Sequence, residues 1–246
     1  MALRPAHVNI KALDAAAVGR FWAEALGWTA YSAGVTTYVG PEGGLVWPHP
    51  LFVGIDVVPV PDPKTPAKNR VHLDLATTSP SHRAELLRRL EQHGATPVDV
   101  GQGPAPWTVL ADVEGNEFCV LDPRDTYRDT GPIARIVVDC ADPRTVARFW
   151  TEALGWPLRE VTETHAVLRS PENSGPYLQF VRTPDPKSAP DRVHLDLLPR
   201  PGDDQDAETA RLRALGATDL DIGQGDTPWT CLTDPEDHEF CVLASP

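Results

Sequence analysis

The stretch Asp14–Trp28, DAAAVGRFWAEALGW, returns at Asp142–Trp156 as DPRTVARFWTEALGW, with ten of fifteen positions identical. A second block, RVHLDL, occurs at Arg70–Leu75 and returns unchanged at Arg192–Leu197. Repeated blocks in the same order are the mark of an internal duplication. The chain of 246 residues therefore consists of two related units, each long enough for a domain of its own.

A third block fixes the extent of the units. Residues 99–121 return at 221–243, and the two copies share the sequences PWT and EFCVL. Together the blocks predict an N-terminal domain over residues 1–124, a linker over 125–132 and a C-terminal domain over 133–246.

Each unit contains the same pattern of predicted elements twice. In the first unit His7–Ile10 alternates like a short strand, Asp14 is a helix N-cap, and Gly27 provides the stop. The pattern then restarts at Val71–Leu75, and Ser79 followed by proline caps a second helix. The sequence therefore predicts an α+β fold in which each domain consists of two βαβββ modules.

Composition narrows the class of partner. The formal net charge is -13, and Lys and Arg are scattered, which argues against nucleic acid or anionic lipid as a ligand. The sequence has no apolar run near the roughly 18 to 20 residues of a membrane helix. None of the four cysteines belongs to a Cys-x-x-Cys pair, so no zinc ribbon is indicated. We predict a cytoplasmic protein, a monomer or homodimer, that binds a small molecule.

The module pattern and its motifs resemble a known superfamily. The motifs are FW...LG at residues 21–27, RVHLDL at 70–75 and DVEGNEF at 112–118, with their counterparts in the second unit. They resemble the vicinal oxygen chelate superfamily, which includes glyoxalases, bleomycin resistance proteins and extradiol dioxygenases. The resemblance implies tandem glyoxalase-like domains, each with a curved mixed sheet around a cavity.

The resemblance also implies a metal site. Members that bind a divalent ion take ligands from the first, fifth and eighth strands, and these positions are His7, His72 and Glu117 in the first unit. Two imidazoles and a carboxylate with open positions suit Fe²⁺, Mn²⁺, Ni²⁺ or Zn²⁺. Alone, His72 is also explained as a hydrogen-bonded structural histidine, and Glu117 as a turn-capping carboxylate.

The second unit departs from this set at one position. Arg135 stands where His7 stands, whereas His194 and Glu239 are retained. Because arginine is always protonated and only donates, it cannot bind a cation, so the second site is predicted to be metal-free or to bind an anion.

Further residues complete the predicted pocket. Asp74 follows His72 by two residues and either orients that imidazole, acts as a base or pairs with a nearby arginine. Trp107 and Trp229 follow equivalent turns and are candidate flat walls of a pocket. The predicted substrate pocket comprises Asn9, Trp107, Arg135, His194, Trp229 and Glu239.

Two functions fit these patterns. One is a metal-dependent enzyme of lyase, isomerase or dioxygenase type that acts on a small oxygen-chelating molecule at one site. The other is a metal-free binding protein, similar to the antibiotic-sequestering branch, built as a fused pseudo-dimer.

The pairing of the modules stays open at this point. If both modules of a unit share one sheet, His7 meets His72 and Glu117. If the units exchange modules, His7 meets His194 and Glu239, and Arg135 meets the other pair.

Overall fold

The computed structural model describes residues 2–43, 53–101, 103–223 and 225–244. Four copies of the predicted βαβββ module follow one another along the chain. The first module contains β1 (Arg4–Ala12), α1 (Ala15–Leu26), β2 (Thr29–Ala33), β3 (Thr36–Gly40) and β4 (Gly54–Pro59). The second contains β5 (Val71–Leu75), α2 (Pro80–Gln92), β6 (Thr96–Pro97), β7 (Trp107–Ala111) and β8 (Glu117–Leu121).

The second unit repeats this order after a 3-10 helix at Asp125–Tyr127. The third module contains β9 (Ile133–Cys140), α3 (Pro143–Leu154), β10 (Leu158–Val161), β11 (His165–Leu168) and β12 (Tyr177–Arg182). The fourth contains β13 (Val193–Leu198), α4 (Gln205–Leu215), β14 (Thr218–Asp219), β15 (Thr230–Thr233) and β16 (Glu239–Val242).

The units exchange modules. The first sheet has the order β14-β15-β16-β13-β1-β4-β3-β2, and the second has the order β10-β11-β12-β9-β5-β8-β7-β6. Each eight-stranded mixed sheet therefore joins one module of the first unit to one module of the second. The antiparallel pairs β1 with β13 and β5 with β9 form the two junctions.

Local signals place the helices where the sequence predicts them. The Asp14 carboxylate accepts a hydrogen bond from the backbone N–H of Ala17, and Gly27 ends α1 in the left-handed conformation. At the start of α2 the side chain of Ser79 accepts from the N–H of His82. Both helix starts satisfy amide groups that a helix leaves unpaired.

One hydrophobic core connects the sheets and the helices. The aromatic side chains of α1 pack edge-on against Phe118 of the second sheet, with Trp22 at 5.2 Å between ring centroids. Trp22 is 2% exposed, and its indole N–H donates to Asp112 at 3.1 Å. Trp150 repeats the arrangement by donating to Asp234 at 2.9 Å. Both tryptophans are therefore core residues.

No helix within the described part of the chain is long and apolar enough to cross a membrane.

Candidate functional site

Strand pairing defines a polar face on the first sheet. Across the junction His7 lies opposite Asp196, and Asn9 lies opposite His194. Because opposed residues project to the same side of a sheet, these four side chains share one face. The apolar residues between them, such as Val8, belong to the core on the other side. We call this surface the first polar face.

Neighbouring strands add residues to this face on both sides of the junction. Asp56 of β4 lies opposite Asn9, and Cys241 of β16 lies opposite Asp196. Cys231 of β15 in turn lies opposite Cys241. The first polar face therefore combines imidazole, carboxylate and thiol groups from both units.

The module exchange separates the predicted metal triad. His7 belongs to the first sheet, whereas His72 and Glu117 belong to the second. The structure instead puts His7 on the same sheet face as His194, and Arg135 on the same face as His72. The identical RVHLDL strand in both units lets either copy pair with β1 or β9, so the motif alone could not decide between them.

The glutamate of the alternative triad is already engaged. In Glu239 one carboxylate oxygen accepts from the Lys11 ammonium at 2.9 Å, and the other accepts from the N–H of Asp191 at 2.9 Å. Burial alone would raise the pKa of Glu239, but the charge of Lys11 and its hydrogen bond lower it. As it stands, this glutamate does not fit the ligand position that the superfamily implies.

Glu117 has the same role on the second sheet. It accepts from the Lys64 ammonium at 3.1 Å and from the N–H of Asn69 at 3.3 Å. In both units this glutamate begins the eighth strand. It links that strand to a lysine and to the loop before the RVHLDL strand.

A compact group of metal-ligating atoms lies beside Glu239. His194 Nε2 is 3.4 Å from Asp196 Oδ1 and 3.6 Å from Cys241 Sγ. The ligand atoms of these three residues all lie within 4.8 Å of one another. Asn9 donates to the other carboxylate oxygen of Asp196 at 3.1 Å, which fixes that side chain. His194 is 6% exposed, and its Nδ1 has no hydrogen-bond partner among the residues that the structure describes.

His7 and Asp56 place further charge-sensitive groups on this face. Burial lowers the pKa of His7 against the opposing charge of Asp196, which favours the neutral imidazole that binds metals. Burial and the negative charge of Asp196 raise the pKa of Asp56 to about 6. A cation would relieve the repulsion between the half-buried carboxylate of Asp56 and the buried one of Asp196.

Two cysteine thiols lie side by side on β15 and β16 of this face. Cys231 Sγ and Cys241 Sγ are 3.6 Å apart. Their hydrogen bond lowers the pKa of Cys231 to about 7 and raises that of Cys241. Both cysteines lie outside the main apolar cluster, which contains Cys140.

The second sheet carries an equivalent surface, which we call the second polar face. His72 Nε2 is 3.6 Å from Asp74 Oδ1, and Cys119 lies opposite Asp74 on β8. Burial lowers the pKa of His72. Where His7 stands on the first face, Arg135 Nε lies 3.2 Å from Asp74 Oδ2. The Asp74 carboxylate therefore has an arginine beside it, which is one of the three roles that the sequence left open for this residue.

Arg135 is held by its neighbours on every side. It donates to Gln179 Oε1 at 2.5 Å and to the Tyr127 hydroxyl at 2.7 Å. Gln179 occupies the position of Asp56, and Val109 that of Cys231. A fixed positive charge next to Asp74 disfavours a metal ion on this face.

A cavity of about 370 Å³ opens on the second polar face. Its apolar walls include Trp107, which is 37% exposed. The polar residues that line it are Lys68, His72, Asp74, Glu117, Arg135, Asp139, Thr164, His165, Gln179 and Arg182. A concave cavity of this size is typical of a small-molecule site. Trp229 is the counterpart of Trp107 and is 39% exposed.

Sequence reasoning did not select Asp56, Cys231, Cys241 or Gln179 as site residues. Alternation contained the signal for Cys241, because it lies two residues after Glu239 and therefore shares its face. Asp56 and Cys231 carry no motif, and only the strand register brings them to His194.

Comparison with known proteins agrees with this architecture. A family model described as "Glyoxalase-like domain" matches residues 7–121 and 135–243. Glyoxalase I from Zea mays has a similar fold, with a TM-score of 0.63 and 15% identity over 99% of this chain and 92% of that one. A "putative dioxygenase" from Bacillus subtilis gives a TM-score of 0.64 and 11% identity over 98% of this chain and 85% of that one. No protein of curated function matches the chain in sequence.

Proposed function

Since the chain belongs to the glyoxalase-like domain family, we propose that it is a metal-dependent enzyme with one metal centre, on the first polar face, held by His7, His194 and Asp196. The enzyme acts on a small molecule with neighbouring oxygen atoms. The observation that supports this proposal most directly is that two histidines and a carboxylate from different units share one sheet face across a strand junction.

The donor set suits a divalent ion of the first transition row. Two neutral imidazoles and one carboxylate are the ligand types found with Fe²⁺, Mn²⁺, Ni²⁺ and Zn²⁺. Three protein ligands also leave positions for substrate oxygens. When bound, such an ion polarises the oxygen of a carbonyl or enediol and stabilises negative charge on it.

The surrounding residues would orient the centre and move protons. Asn9 holds the Asp196 carboxylate by donating to Oδ2. Asp56 lies opposite Asn9 on the neighbouring strand β4. Its pKa of about 6 suits a carboxylate that takes up and releases a proton near neutral pH. This arrangement favours proton transfer next to a carbonyl, as in an isomerase or lyase, over the dioxygenase alternative.

Metal titration of matched variants tests the proposal. We expect chelator-stripped protein to bind one equivalent of Ni²⁺ or Zn²⁺ by calorimetry. His194→Ala should weaken binding about 100-fold or more, since even residues that only orient metal ligands contribute 10 to 100-fold. His72→Ala is the matched control on the second face and should leave binding unchanged. No binding by the wild type, or equal effects of both variants, would exclude this metal centre.

The cavity of the second polar face supports a second candidate function, metal-independent binding of a small planar molecule. Arg135 in its lining favours a ligand with an anionic group, and Trp107 provides a flat wall. In chelator, quenching of fluorescence by a panel of aromatic carboxylates would support it, provided that Trp107→Phe removes the quenching and Trp229→Phe does not. Quenching that requires added metal would favour the enzyme.

A further inference from the structure

The first polar face contains a thiol pair that its duplicate lacks. Cys231 on β15 and Cys241 on β16 are directly opposed in the antiparallel ladder. Their sulfur atoms are 3.6 Å apart. On the second sheet the same two positions hold Val109 and Cys119. The second thiol is therefore specific to the face that carries His7 and His194.

The backbone already brings these cysteines to a separation that a disulfide can bridge. Opposed residues of an antiparallel pair have Cα atoms about 4.5 to 5.5 Å apart, within the usual disulfide range of about 4.4 to 6.8 Å. Bond formation requires the two sulfur atoms to approach by about 1.5 Å, which side-chain rotation can provide without a change of register.

The pair also has polar surroundings. Cys241 Sγ is 3.6 Å from His194 Nε2, so the thiol pair lies next to the proposed metal centre. Cys140, by contrast, is packed within the main apolar cluster. Cys140 is therefore an internal control for a buried thiol without a second thiol opposite it.

We propose that Cys231 and Cys241 form a thiol modification site that reacts with hydrogen peroxide or a small organic hydroperoxide to give a reversible cross-strand disulfide. This inference is independent of the proposed enzymatic function, because it requires neither a metal nor a substrate.

The reaction balances with the peroxide as the only oxidant. The Cys231 sulfur, as thiolate, attacks one peroxide oxygen; an S–O bond forms, the O–O bond breaks, and the leaving oxygen departs as water or alcohol after taking a proton. The Cys241 sulfur then attacks the sulfenic sulfur of Cys231, loses its proton, and displaces the remaining oxygen as water. Two thiols are oxidised by two electrons, and the peroxide is reduced.

Oxidation also changes the metal centre's surroundings. In the disulfide Cys241 has no S–H group to share with His194 Nε2. The imidazole is then free of its thiol neighbour, so formation of the bond should alter the environment of the His194 ring.

The test uses the full chain in chelator with stoichiometric hydrogen peroxide. Free thiols should fall from the four of the reduced protein by two. Intact mass should show the loss of two hydrogen atoms, and peptide mapping should join Cys231 to Cys241. A thiol reductant should restore the original mass.

Two substitutions make the result specific to this pair. Cys231→Val copies the residue of the second face and should abolish the disulfide, whereas Cys119→Val should leave it intact. Val109→Cys places a thiol opposite Cys119 and should allow a second disulfide. The proposal is overturned if peroxide leaves all four thiols free, if the mapped disulfide joins other cysteines, or if Cys231→Val still loses two hydrogen atoms.

Discussion

The two polar faces keep four residues in common and differ in what surrounds them. A histidine, an aspartate, a cysteine and a glutamate occupy matching positions on both sheets: His194, Asp196, Cys241 and Glu239 on the first, His72, Asp74, Cys119 and Glu117 on the second. All four residues are present on both sheets, whereas their neighbours differ. We therefore infer that they contribute to the structure of the sheet as well as to any chemistry.

The differing residues come mainly from the partner modules. On the first face β1 and β4 provide His7 and Asp56, whereas on the second β9 and β12 provide Arg135 and Gln179. The exchange of carboxylate for amide and of imidazole for guanidinium makes the second face less attractive to cations. The chemical difference between the two faces thus comes from the first and third modules. The RVHLDL strands of the second and fourth modules provide residues that both faces share.

The largest effect is expected from converting the second face into the first. Arg135→His combined with Gln179→Asp gives the second face the counterparts of His7 and Asp56. We expect metal binding to rise from one equivalent to two by calorimetry. The doubly substituted protein should bind the second ion only while His72 is intact, so His72→Ala in that background is the control. A constant stoichiometry of one would show that the differing neighbours do not decide metal binding.

A smaller effect is expected from Arg135 alone. Arg135→Met leaves the buried carboxylate of Asp74 without its cation. Breaking a buried ion pair costs about 3 to 5 kcal/mol, and solvent access to the arginine, whose side chain is 21% exposed, reduces the expected loss of stability to about 2 to 3 kcal/mol. Urea unfolding in chelator measures it.

The control for Arg135 is the equivalent residue on the other face. His7→Met removes no fixed charge and should cost less than about 1 kcal/mol. Adding Asp74→Asn to Arg135→Met should recover more than half of the loss, because the buried charge is then gone. Equal costs for His7→Met and Arg135→Met would contradict the assigned role of the ion pair.

The sequence predicted the modules because their signals are local. Asp14 and Ser79 cap helices within the segment they begin, and Gly27 ends one. The shared side of His194 and Asp196 likewise follows from the two-residue period of a strand, which needs no partner.

The pairing of the modules was beyond prediction for a physical reason. The junction strands β5 and β13 carry the same six-residue block, so β1 meets the same side chains whichever copy it joins. The residues that meet in the observed pairing lie far apart in the chain, as in the ion pair of Lys11 with Glu239. The sequence does not single out Cys231 and Cys241, because a buried cysteine in a strand has the same pattern whether or not it reacts.

The smallest expected effect concerns the turns that precede the two glutamates. In the second unit His238 bonds through Nδ1 to the Asp234 carboxylate at 2.9 Å and through Nε2 to the carbonyl of Asp139 at 2.8 Å. In the first unit Asn116 takes this place and donates to Asp112. The turn of the first polar face therefore contains a titratable group where its duplicate has a neutral one.

This difference predicts a pH dependence of stability. Burial opposes protonation of His238, but the hydrogen bond and charge of Asp234, with help from the Asp139 carbonyl and from Asp191, raise its pKa above the ordinary value. A histidine whose pKa is raised by folding contributes stability that is fully present below its unfolded pKa of about 6.5 and is lost as pH rises through the folded value.

His238→Asn copies the first unit and should remove this dependence. The charge-assisted bond to Asp234 is replaced by a neutral one, so we expect the variant to be about 1 to 2 kcal/mol less stable than the wild type below pH 6.5. The gap should narrow as pH rises through the pKa of His238. Urea unfolding across this range, with Asn116→His as the reciprocal variant, measures it. A gap that stays constant with pH would mean that folding leaves the pKa of His238 unchanged, and that the two turns differ in shape alone.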